Sequence, residues 1–433
     1  MIPMSTLEQK LTAGEYDAAL SALYGPEALS RQRERYQRAA ASFAALYGSR
    51  EQAALYSAPG RTELIGNHTD HHHGQVLAAS IDLDIIAVAA PREDGCICIH
   101  SEGYSPEHLK LDDLSPHPEE VNRSLALLRG TAARFAEKGY AIGGFDAYIT
   151  SAVPKGAGLS SSAAFEVLIG LILSTLYNQA ALSAGELARI AQYTENVYFG
   201  KPSGLMDQMA CAVGGVISLD FADETQPVVR PLSLDPAAAG YRLCLVDTGG
   251  SHADLTQEYA AVPREMAAVA AALGVRYLRE TSRAALLSRI AELRDELGDR
   301  AVLRALHFFS ENERVETSVR ALQAGDFHTF LQMVLQSGHS SFEYLQSVYA
   351  SSDVRSQGLS LALCLAQNLL EGQGAWRVHG GGFGGTTLNV VPVHLSEEFR
   401  SLMEGVFGSD ACHFFRIRPY GGICLDTLKP TTI

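Results

Sequence analysis

The chain has 433 residues, and its 34 Lys and Arg against 49 Asp and Glu leave a net charge of −15. This acidic balance argues against a nucleic-acid or anionic-membrane surface, because phosphate groups would repel it. Seven cysteines are few and odd in number, which argues against a disulfide framework and favours a reducing compartment. The N-terminus lacks the basic-then-apolar order of a secretion signal. We therefore expect a cytoplasmic globular protein that binds neither nucleic acid nor membrane.

The predicted elements mix helices and strands along the chain. Apolar side chains at helical spacing predict helices in the first ~55 residues. Apolar runs bounded by Gly and Pro predict strands over 75–83, 85–90, 96–100, 144–149, 215–220, 243–247 and 387–391. Amphipathic or apolar runs predict helices over 161–177, over 205–213 and through most of 255–345. This mixture favours an α+β fold with two lobes, which we divide into 1–230 and 231–433.

A loop of small residues precedes the predicted helix over 161–177. It reads Pro-Lys-Gly-Ala-Gly-Leu-Ser-Ser-Ser-Ala-Ala from position 154 to 164. Closely spaced backbone N–H groups and the positive end of a helix dipole favour bound phosphate. The loop is not a Walker A motif, which needs Gly-Lys-Ser/Thr after a four-residue spacer. A phosphate-binding loop and a plain helix cap both fit this segment.

Two segments hold candidate metal ligands. Residues 58–74 are rich in Arg, Asn, Asp and His, so we expect a solvated loop outside the core, with a metal site as the rival interpretation. Three adjacent histidines, His71 to His73, cannot all face one ion from a strand, which disfavours the metal site. Cys96 and Cys98 lie on a predicted strand, and we expect them to face opposite sides of the sheet and not to form a metal pair.

A third glycine-rich segment, residues 380–385, opens a predicted strand. Glycines at this density allow a ligand to approach the backbone closely. A strained turn between two packed elements is the alternative interpretation.

These three segments, in this order, resemble the signatures of the GHMP small-molecule kinase superfamily, and within it those of the galactokinase family. The galactokinase pattern Gly-Arg-x-Asn-x-Ile-Gly-Glu-His-x-Asp-Tyr is similar to residues 60–71, and Gly-Leu-Ser-Ser-Ser-Ala stands intact at 158–163. The family's Gly-x-Met-Asp-Gln resembles residues 204–208. A helical motif of the second lobe is similar to Arg304, His307, Glu311, Asn312 and Arg314.

The resemblance implies a two-lobed α+β kinase with ATP and a sugar in the cleft between the lobes. The ATP phosphates are expected over a set of loop glycines and serines: Gly156, Gly158, Ser160, Ser161 and Ser162. Mg²⁺ is the implied cofactor, held by Ser162 and Glu195, since hard oxygen ligands suit that ion.

The resemblance also implies the catalytic pair. Asp207 is expected to take the proton of the sugar's anomeric hydroxyl as it attacks the γ-phosphate, with Arg61 beside it. A nearby cation lowers a carboxylate's pKa, and the same guanidinium can stabilise charge on the transferring phosphoryl group. From the residues alone, a structural salt bridge is the alternative. The groups implied to bind the sugar hydroxyls are Asn67, His68, Asp70 and Tyr259.

Three positions depart from the family pattern: Glu63 stands for Asn, Asn67 for Glu and His71 for Tyr. The family's Glu at position 67 is expected near the C6 hydroxyl of galactose. Asn67 is uncharged, whereas Glu would repel a C6 carboxylate by about 4 kcal/mol at ~4 Å and an effective dielectric near 20. The basic-leaning run from His71 to His73 is expected to attract such a carboxylate. A galacturonate 1-kinase, or a kinase for another C6- or C2-modified galactose, is therefore an alternative to a galactose 1-kinase.

An alternative of another class is a non-catalytic sensor that binds galactose and ATP and regulates a partner. Such proteins tend to have a damaged second signature. Here residues 158–163, Asp207 and Arg61 are all present, which favours an enzyme. We expect a monomer or a weak dimer with a small-molecule sugar and ATP as its partners.

Overall fold

The computed structural model describes residues 1–154, 158–201, 203–223, 226–250, 256–350 and 354–427. Its helices are α1 (Met4–Ala13), α2 (Asp17–Tyr24), α3 (Leu29–Tyr47), α4 (Ser124–Glu137), α5 (Ser161–Tyr177), α6 (Ala184–Thr194), α7 (Met206–Val213), α8 (Thr256–Ala272), α9 (Arg283–Ser288), α10 (Ile290–Leu297), α11 (Asp299–Gln323), α12 (Phe327–Ser340), α13 (Gly358–Leu370) and α14 (Ser396–Phe407). Its strands are β1 (Ala54–Ile65), β2 (Gln75–Arg92), β3 (Cys96–Ser101), β4 (Glu107–Lys110), β5 (Gly144–Ser151), β6 (Val216–Asp220), β7 (Val228–Leu232), β8 (Tyr241–Asp247), β9 (Ala375–Val378), β10 (Thr386–Pro392), β11 (Cys412–Phe415) and β12 (Ile423–Cys424). The predicted α+β class is confirmed, and in the described part of the chain no helix combines the length and apolarity needed to cross a bilayer.

The strands form two sheets. The larger sheet has the order β12-β1-β2-β5-β3-β4, and β6 and β7 extend it beside the first half of β2. The smaller, antiparallel sheet has the order β11-β8-β10-β9. The end of the chain returns to the larger sheet, where Cys424 of β12 lies opposite Tyr56 of β1. The division into 1–230 and 231–433 stays a prediction, and its boundary falls inside β7.

The two central strands are longer and more polar than the sequence pattern predicts. The predicted strands over 75–83 and 85–90 are one continuous strand, β2. Every residue of β1 is buried, so the prediction that 58–74 lies outside the core is wrong for its first half. The reason is that Arg61 and Glu63 form ion pairs inside the protein, with Asp207 and Arg377, and paired charges can be buried.

Helices cover both faces of the larger sheet. On one face α1, α2 and α3 bury an apolar cluster that includes Leu55, Ile86 and Val88 of β1 and β2. On the other face α4, α5, α6 and α7 form the main core with the same strands. The N-terminal helices, which the family pattern leaves as an extension, therefore form one layer of the fold.

Asp84 of β2 joins three separate parts of the chain. Its fully buried carboxylate accepts hydrogen bonds from Arg35 of α3 at 2.6 Å and from Arg418 near the C-terminus at 2.9 Å. The Tyr24 hydroxyl of α2 also donates to it. Burial alone would raise the pKa of Asp84, but the two guanidinium groups outweigh it and lower the pKa below its usual value.

We predict that Asp84→Ala lowers the free energy of unfolding by about 3–5 kcal/mol, because it leaves two buried guanidinium groups without their anion. Glu313→Ala is the matched control, since Glu313 pairs with Arg283 at the surface and is 64% exposed. The control is expected to cost about 1 kcal/mol or less. Urea denaturation of both variants measures the difference, and equal losses would contradict a special role for Asp84.

Candidate active site

Arg61 and Asp207 form a bidentate ion pair. Arg61 Nε and Nη2 lie 2.7 Å from Asp207 Oδ1 and Oδ2, respectively. Arg61 belongs to β1, where the register shifts between Pro59 and Arg61, and Asp207 is the second residue of α7. The pairing predicted from the sequence is therefore present. The Arg61 side chain is 8% exposed and that of Asp207 is 17% exposed, so both are largely shielded from solvent.

The environment of Asp207 keeps its carboxyl group ionised. Burial would raise the pKa, but the charge and hydrogen bonds of Arg61 outweigh this effect, and Lys201 and the Ser160 hydroxyl act in the same direction. Together they lower the pKa of Asp207 to about 2. The carboxylate can therefore accept a hydrogen bond from an incoming hydroxyl across the neutral pH range.

The serine loop lies beside this pair. Gly156 is outside the described residues, whereas Gly158 has a positive φ of 68° and its carbonyl accepts a hydrogen bond from Arg61 Nη1. Ser160 precedes α5 with a left-handed backbone, and its hydroxyl donates to Asp207. Ser161 and Ser162 begin α5, whose first backbone N–H groups lack partners within the helix and form the positive end of its dipole. The predicted anion site and the predicted catalytic pair are thus adjacent.

The Glu195 carboxylate accepts hydrogen bonds from four polar side chains near the serine loop. It begins a short π-helical turn (Glu195–Phe199) that directly follows α6, and it is fully buried. Its Oε1 accepts hydrogen bonds from Ser162 Oγ and Lys201 Nζ, both at 2.9 Å. Its Oε2 accepts from Ser203 Oγ and Gln208 Nε2, both at 2.7 Å. Sequence reasoning gave no role to these partners of Glu195: Lys201 and Ser203 only precede the Gly-Leu-Met-Asp turn, and Gln208 is the last residue of the motif at 204–208.

The donor set at Glu195 suits a hard divalent cation. A serine hydroxyl and a carboxylate are oxygen ligands of the kind that Mg²⁺ prefers, and Mg²⁺ usually binds proteins through one or two such groups together with phosphate oxygens. A cation, the Lys201 ammonium, already contacts the same carboxylate oxygen as Ser162. The residues present therefore fit the predicted ion.

The loop over residues 66–74 is held by α11. His307 Nε2 lies 2.9 Å from the carbonyl oxygen of Asn67, and Glu311 accepts a hydrogen bond from the backbone N–H of Gly66 at 3.0 Å. Asn312 accepts from the N–H of Gln75, where the loop ends, at 2.7 Å. The residues that resemble a helical motif of the second lobe thus position the histidine-rich loop.

The glycine-rich segment forms the opposite wall. Three consecutive carbonyl groups, those at 380, 381 and 382, accept hydrogen bonds from Asn67 Nδ2 at 2.6 Å, His68 Nε2 at 2.9 Å and the Tyr259 hydroxyl at 2.6 Å. A Cβ at Gly381 would lie 2.3 Å from the Tyr259 ring, so glycine is required there. The sequence predicted that a ligand approaches the backbone of this segment closely. In the structure, side chains of the candidate site approach it instead.

Asp70 lies against the turn at Gly204 that precedes Asp207. A Cβ at Gly204 would lie 2.1 Å from Asp70 Oδ2, so glycine at that turn makes room for the carboxylate. Asp70 Oδ1 accepts a hydrogen bond from the N–H of His71 at 2.9 Å. Burial and then the negative charge of Asp207 raise the pKa of Asp70 to about 6. Two carboxyl groups in one cleft therefore have pKa values that are far apart, a pattern typical of active sites.

Asn67 is fully buried, and its amide contacts only protein groups among the described residues. Its Nδ2 donates to Gly380 and lies 3.4 Å from Glu63 Oε1, while its Oδ1 accepts from the Ser341 hydroxyl at 3.2 Å. Glu63 in turn forms a buried ion pair with Arg377 at 2.9 Å. Relative to the family pattern, Asn and Glu have exchanged positions 63 and 67. The carboxylate, now that of Glu63, is still in the same cluster. This packing gives no support to contact between Asn67 and a C6 group, which stays a prediction.

The expectation of a basic histidine run is wrong for His71 and His72. Burial lowers the pKa of His71 well below its usual value and also lowers that of His72, so both rings are neutral at pH 7. Burial likewise lowers the pKa of His68 to about 4. Among the described residues these histidines do not converge as metal ligands, whereas Cys96, Cys98 and His108 do.

The prediction that Cys96 and Cys98 face opposite sides of the sheet is also wrong. Their sulfur atoms lie 3.6 Å apart on the same face of β3, because residues two apart in a strand point to the same side.

The chain is similar in sequence to known kinases. A family model described as the GHMP kinases N terminal domain matches residues 126–215, and one described as the galactokinase galactose-binding signature matches residues 41–91. A galactokinase from Streptomyces coelicolor is 35% identical over 388 residues, which cover 88% of this chain and 96% of that protein. One from Streptomyces lividans is 35% identical over 355 residues, which cover 81% and 85%.

The chain is also similar in fold to solved structures of kinases. The crystal structure of Lactococcus lactis galactokinase complexed with galactose has a TM-score of 0.75 and 26% identity, and the match covers 88% of this chain and 98% of that one. The Methanococcus jannaschii mevalonate kinase, at 15% identity and a TM-score of 0.60, shares the fold.

The two-sheet α+β fold and the serine loop at the start of α5 are those of a GHMP-type small-molecule kinase. Within that class, the 35% sequence identity to the Streptomyces coelicolor galactokinase extends over most of both chains and so identifies one family. The chain belongs to the galactokinase family.

Proposed function

We propose that this chain transfers the γ-phosphoryl group of ATP to the anomeric hydroxyl of galactose, giving galactose 1-phosphate and ADP. The observation that carries the proposal is the Arg61–Asp207 ion pair, which lies between the serine loop and the loop over residues 66–74. The relatives named galactokinase and the match to the galactose-binding signature support the choice of sugar.

The reaction needs one bond formed and one broken. The C1 hydroxyl oxygen attacks the γ-phosphorus while its proton passes to Asp207, and the bond from that phosphorus to the β–γ bridging oxygen breaks. ADP leaves with the electron pair of that bond. Arg61 holds Asp207 in place and lies where its guanidinium can also stabilise charge on the phosphoryl oxygens.

The low pKa of Asp207 makes it a weak base that is always ionised. Such a group is suited to a loose phosphoryl-transfer transition state, in which little negative charge is needed on the attacking oxygen at first. Asp207 therefore orients the hydroxyl and receives the proton late. Positioning and electrostatic stabilisation supply most of the rate enhancement in this mechanism.

The ATP phosphates bind over the serine loop in this proposal. The first N–H groups of α5 and the helix dipole attract the negative charge. Gly156, Gly158, Ser160 and Ser161 are the proposed phosphate contacts, while Ser162 and Glu195 hold Mg²⁺. When bound, the ion neutralises charge on the phosphate oxygens.

The sugar lies between the loop over residues 66–74 and the glycine-rich segment. Asp70 accepts hydrogen bonds from sugar hydroxyls. His68 and Tyr259 line the same pocket, held there by their hydrogen bonds to the carbonyl groups of residues 381 and 382. Asn67 completes the wall of the pocket. His71, the departure from the family's Tyr, has no hydrogen bond at either ring nitrogen within the described residues, so it is available to a sugar hydroxyl.

The alternatives are not favoured. A galacturonate carboxylate would meet neutral histidines and the buried acidic cluster that includes Glu63, not a basic patch. The two Streptomyces relatives are named galactokinase, and the ion pair and serine loop expected of an active enzyme argue against a non-catalytic sensor. A cytoplasmic location, based on the few, odd cysteines, and a monomer or weak dimer complete the proposal.

An ADP-release assay with galactose, galacturonate and N-acetylgalactosamine tests the function. We expect galactose to be the preferred substrate. Asp207→Asn should lower kcat by about 10²–10⁴-fold, because it removes the proton acceptor, and leave ATP binding in place. The control Glu313→Gln changes an exposed carboxylate on α11 and should not alter the rate. A preference for galacturonate, or binding without turnover in the unmodified chain, would replace the proposal with one of its alternatives.

The pKa of Asp70 predicts how galactose affinity depends on pH. Because that pKa is about 6, affinity should be constant above pH 7 and fall about ten-fold by pH 5 as the carboxylate takes up a proton and loses acceptor capacity. Calorimetric titration of galactose at several pH values measures the change. Asp70→Asn should bind weakly with no inflection near pH 6. Identical pH profiles for the variant and the unmodified chain would exclude Asp70 as the titrating group.

A further inference from the structure

Cys96, Cys98 and His108 form a cluster on the β3–β4 hairpin of the larger sheet and belong to none of the contacts of the candidate active site. The Sγ atoms of Cys96 and Cys98 are 3.6 Å apart, and His108 Nδ1 is 3.1 Å from Cys98 Sγ. All three ligand atoms lie within 4.8 Å of one another. Neither the proposed reaction nor the matched family models account for this arrangement.

The backbone of the hairpin produces the cluster. Cys98 lies directly opposite His108 in the antiparallel pairing of β3 with β4, and Cys96 is two residues away on the same face. The intervening Ile97 and the facing Leu109 point to the other side and are buried in the main core. Because the apolar residues fix which face points inward, the two thiols and the imidazole must share the outer face.

The distances agree with those around a tetrahedral zinc ion. Zn–S bonds of about 2.3 Å and Zn–N bonds of about 2.0–2.1 Å at tetrahedral angles place two sulfurs about 3.7 Å apart, and a sulfur and a nitrogen about 3.5 Å apart. The observed separations are within half an ångström of both values. A disulfide would instead need the sulfurs to close to about 2.05 Å. The thiols are free.

Charge and access also favour a metal ion. Two thiolates and one divalent ion form a neutral unit, which can be partly buried at small cost. The neighbouring acid, Asp146 of β5, is already paired with Arg50 and Arg92 and is not free to act as a ligand. His108 is exposed and Cys96 is partly exposed, so an ion can enter from solvent and keep a water as its fourth ligand.

We propose that Cys96, Cys98 and His108 bind one zinc ion, or another soft divalent metal, that ties the edge strand β4 to β3. Among the described strands β4 pairs with β3 alone, so the hairpin has little else to fix it. The ion replaces the thiol protons with metal–sulfur bonds and releases them to solvent. Its three ligand residues are separate from those of the candidate active site.

Titration of the reduced, metal-free protein with Co²⁺ tests the site. One equivalent should produce a thiolate-to-cobalt charge-transfer band, and Zn²⁺ should remove that band by displacement. Cys96→Ser and Cys98→Ser should each lose most of the band, and His108→Asn should bind at least about ten-fold more weakly. Cys364→Ser is the matched control, because Cys364 is an exposed thiol elsewhere on the surface and should leave the titration unchanged.

Thermal unfolding provides a second measurement. Zn²⁺ should raise the Tm of the unmodified chain and of Cys364→Ser but not of Cys96→Ser, whose partly exposed position makes it tolerant of the change. Absence of the band in the unmodified chain, or its survival in both Cys96→Ser and Cys98→Ser, would overturn the proposal. A Cys96–Cys98 disulfide that re-forms under the reducing conditions would also overturn it.

Discussion

The ion pair between Arg61 and Asp207 is the contact on which the candidate active site depends. It joins β1 of the larger sheet to the first turn of α7, and the same guanidinium holds the carbonyl of Gly158 in the serine loop. Three segments distant in the chain therefore meet at one side chain. Removing either charge would leave the other buried and unpaired, which is costly, so the pair also fixes the relative position of these segments.

The second sheet and its helices contribute rigid supports to the cleft. Glu311 of α11 keeps a low pKa, about 2, because Arg314 outweighs the effect of burial, and its carboxylate holds the backbone of Gly66. The glycine-rich segment presents three carbonyl groups to the other side of the same loop. The side chains proposed to bind the sugar thus lie on a loop whose backbone is fixed from both directions, which is how a loop can position ligand groups accurately.

The departures from the family pattern illustrate how one substitution depends on its surroundings. Asn67 Nδ2 lies 3.4 Å from Glu63 Oε1. The exchange of Asn and Glu between these two positions therefore keeps one acid and one amide in a single buried cluster. Arg377 neutralises the acid at its new position. The changes at positions 63 and 67 therefore offset each other within the protein, and burial lowers the pKa of His71 and of His72, so those two rings are neutral at pH 7.

Local pattern by itself determined the α+β class, the helix over 161–177 and the strands β3, β5, β6, β8 and β10, because periodicity and glycine punctuation act within a few residues. The motifs also determined the galactokinase family and the Arg61–Asp207 pair. Only the tertiary structure decided that β1 is fully buried, that Lys201 contacts Glu195 and that Cys96, Cys98 and His108 converge. Burial, pKa and ligand distances depend on neighbours from distant parts of the chain, and a linear sequence does not display those neighbours.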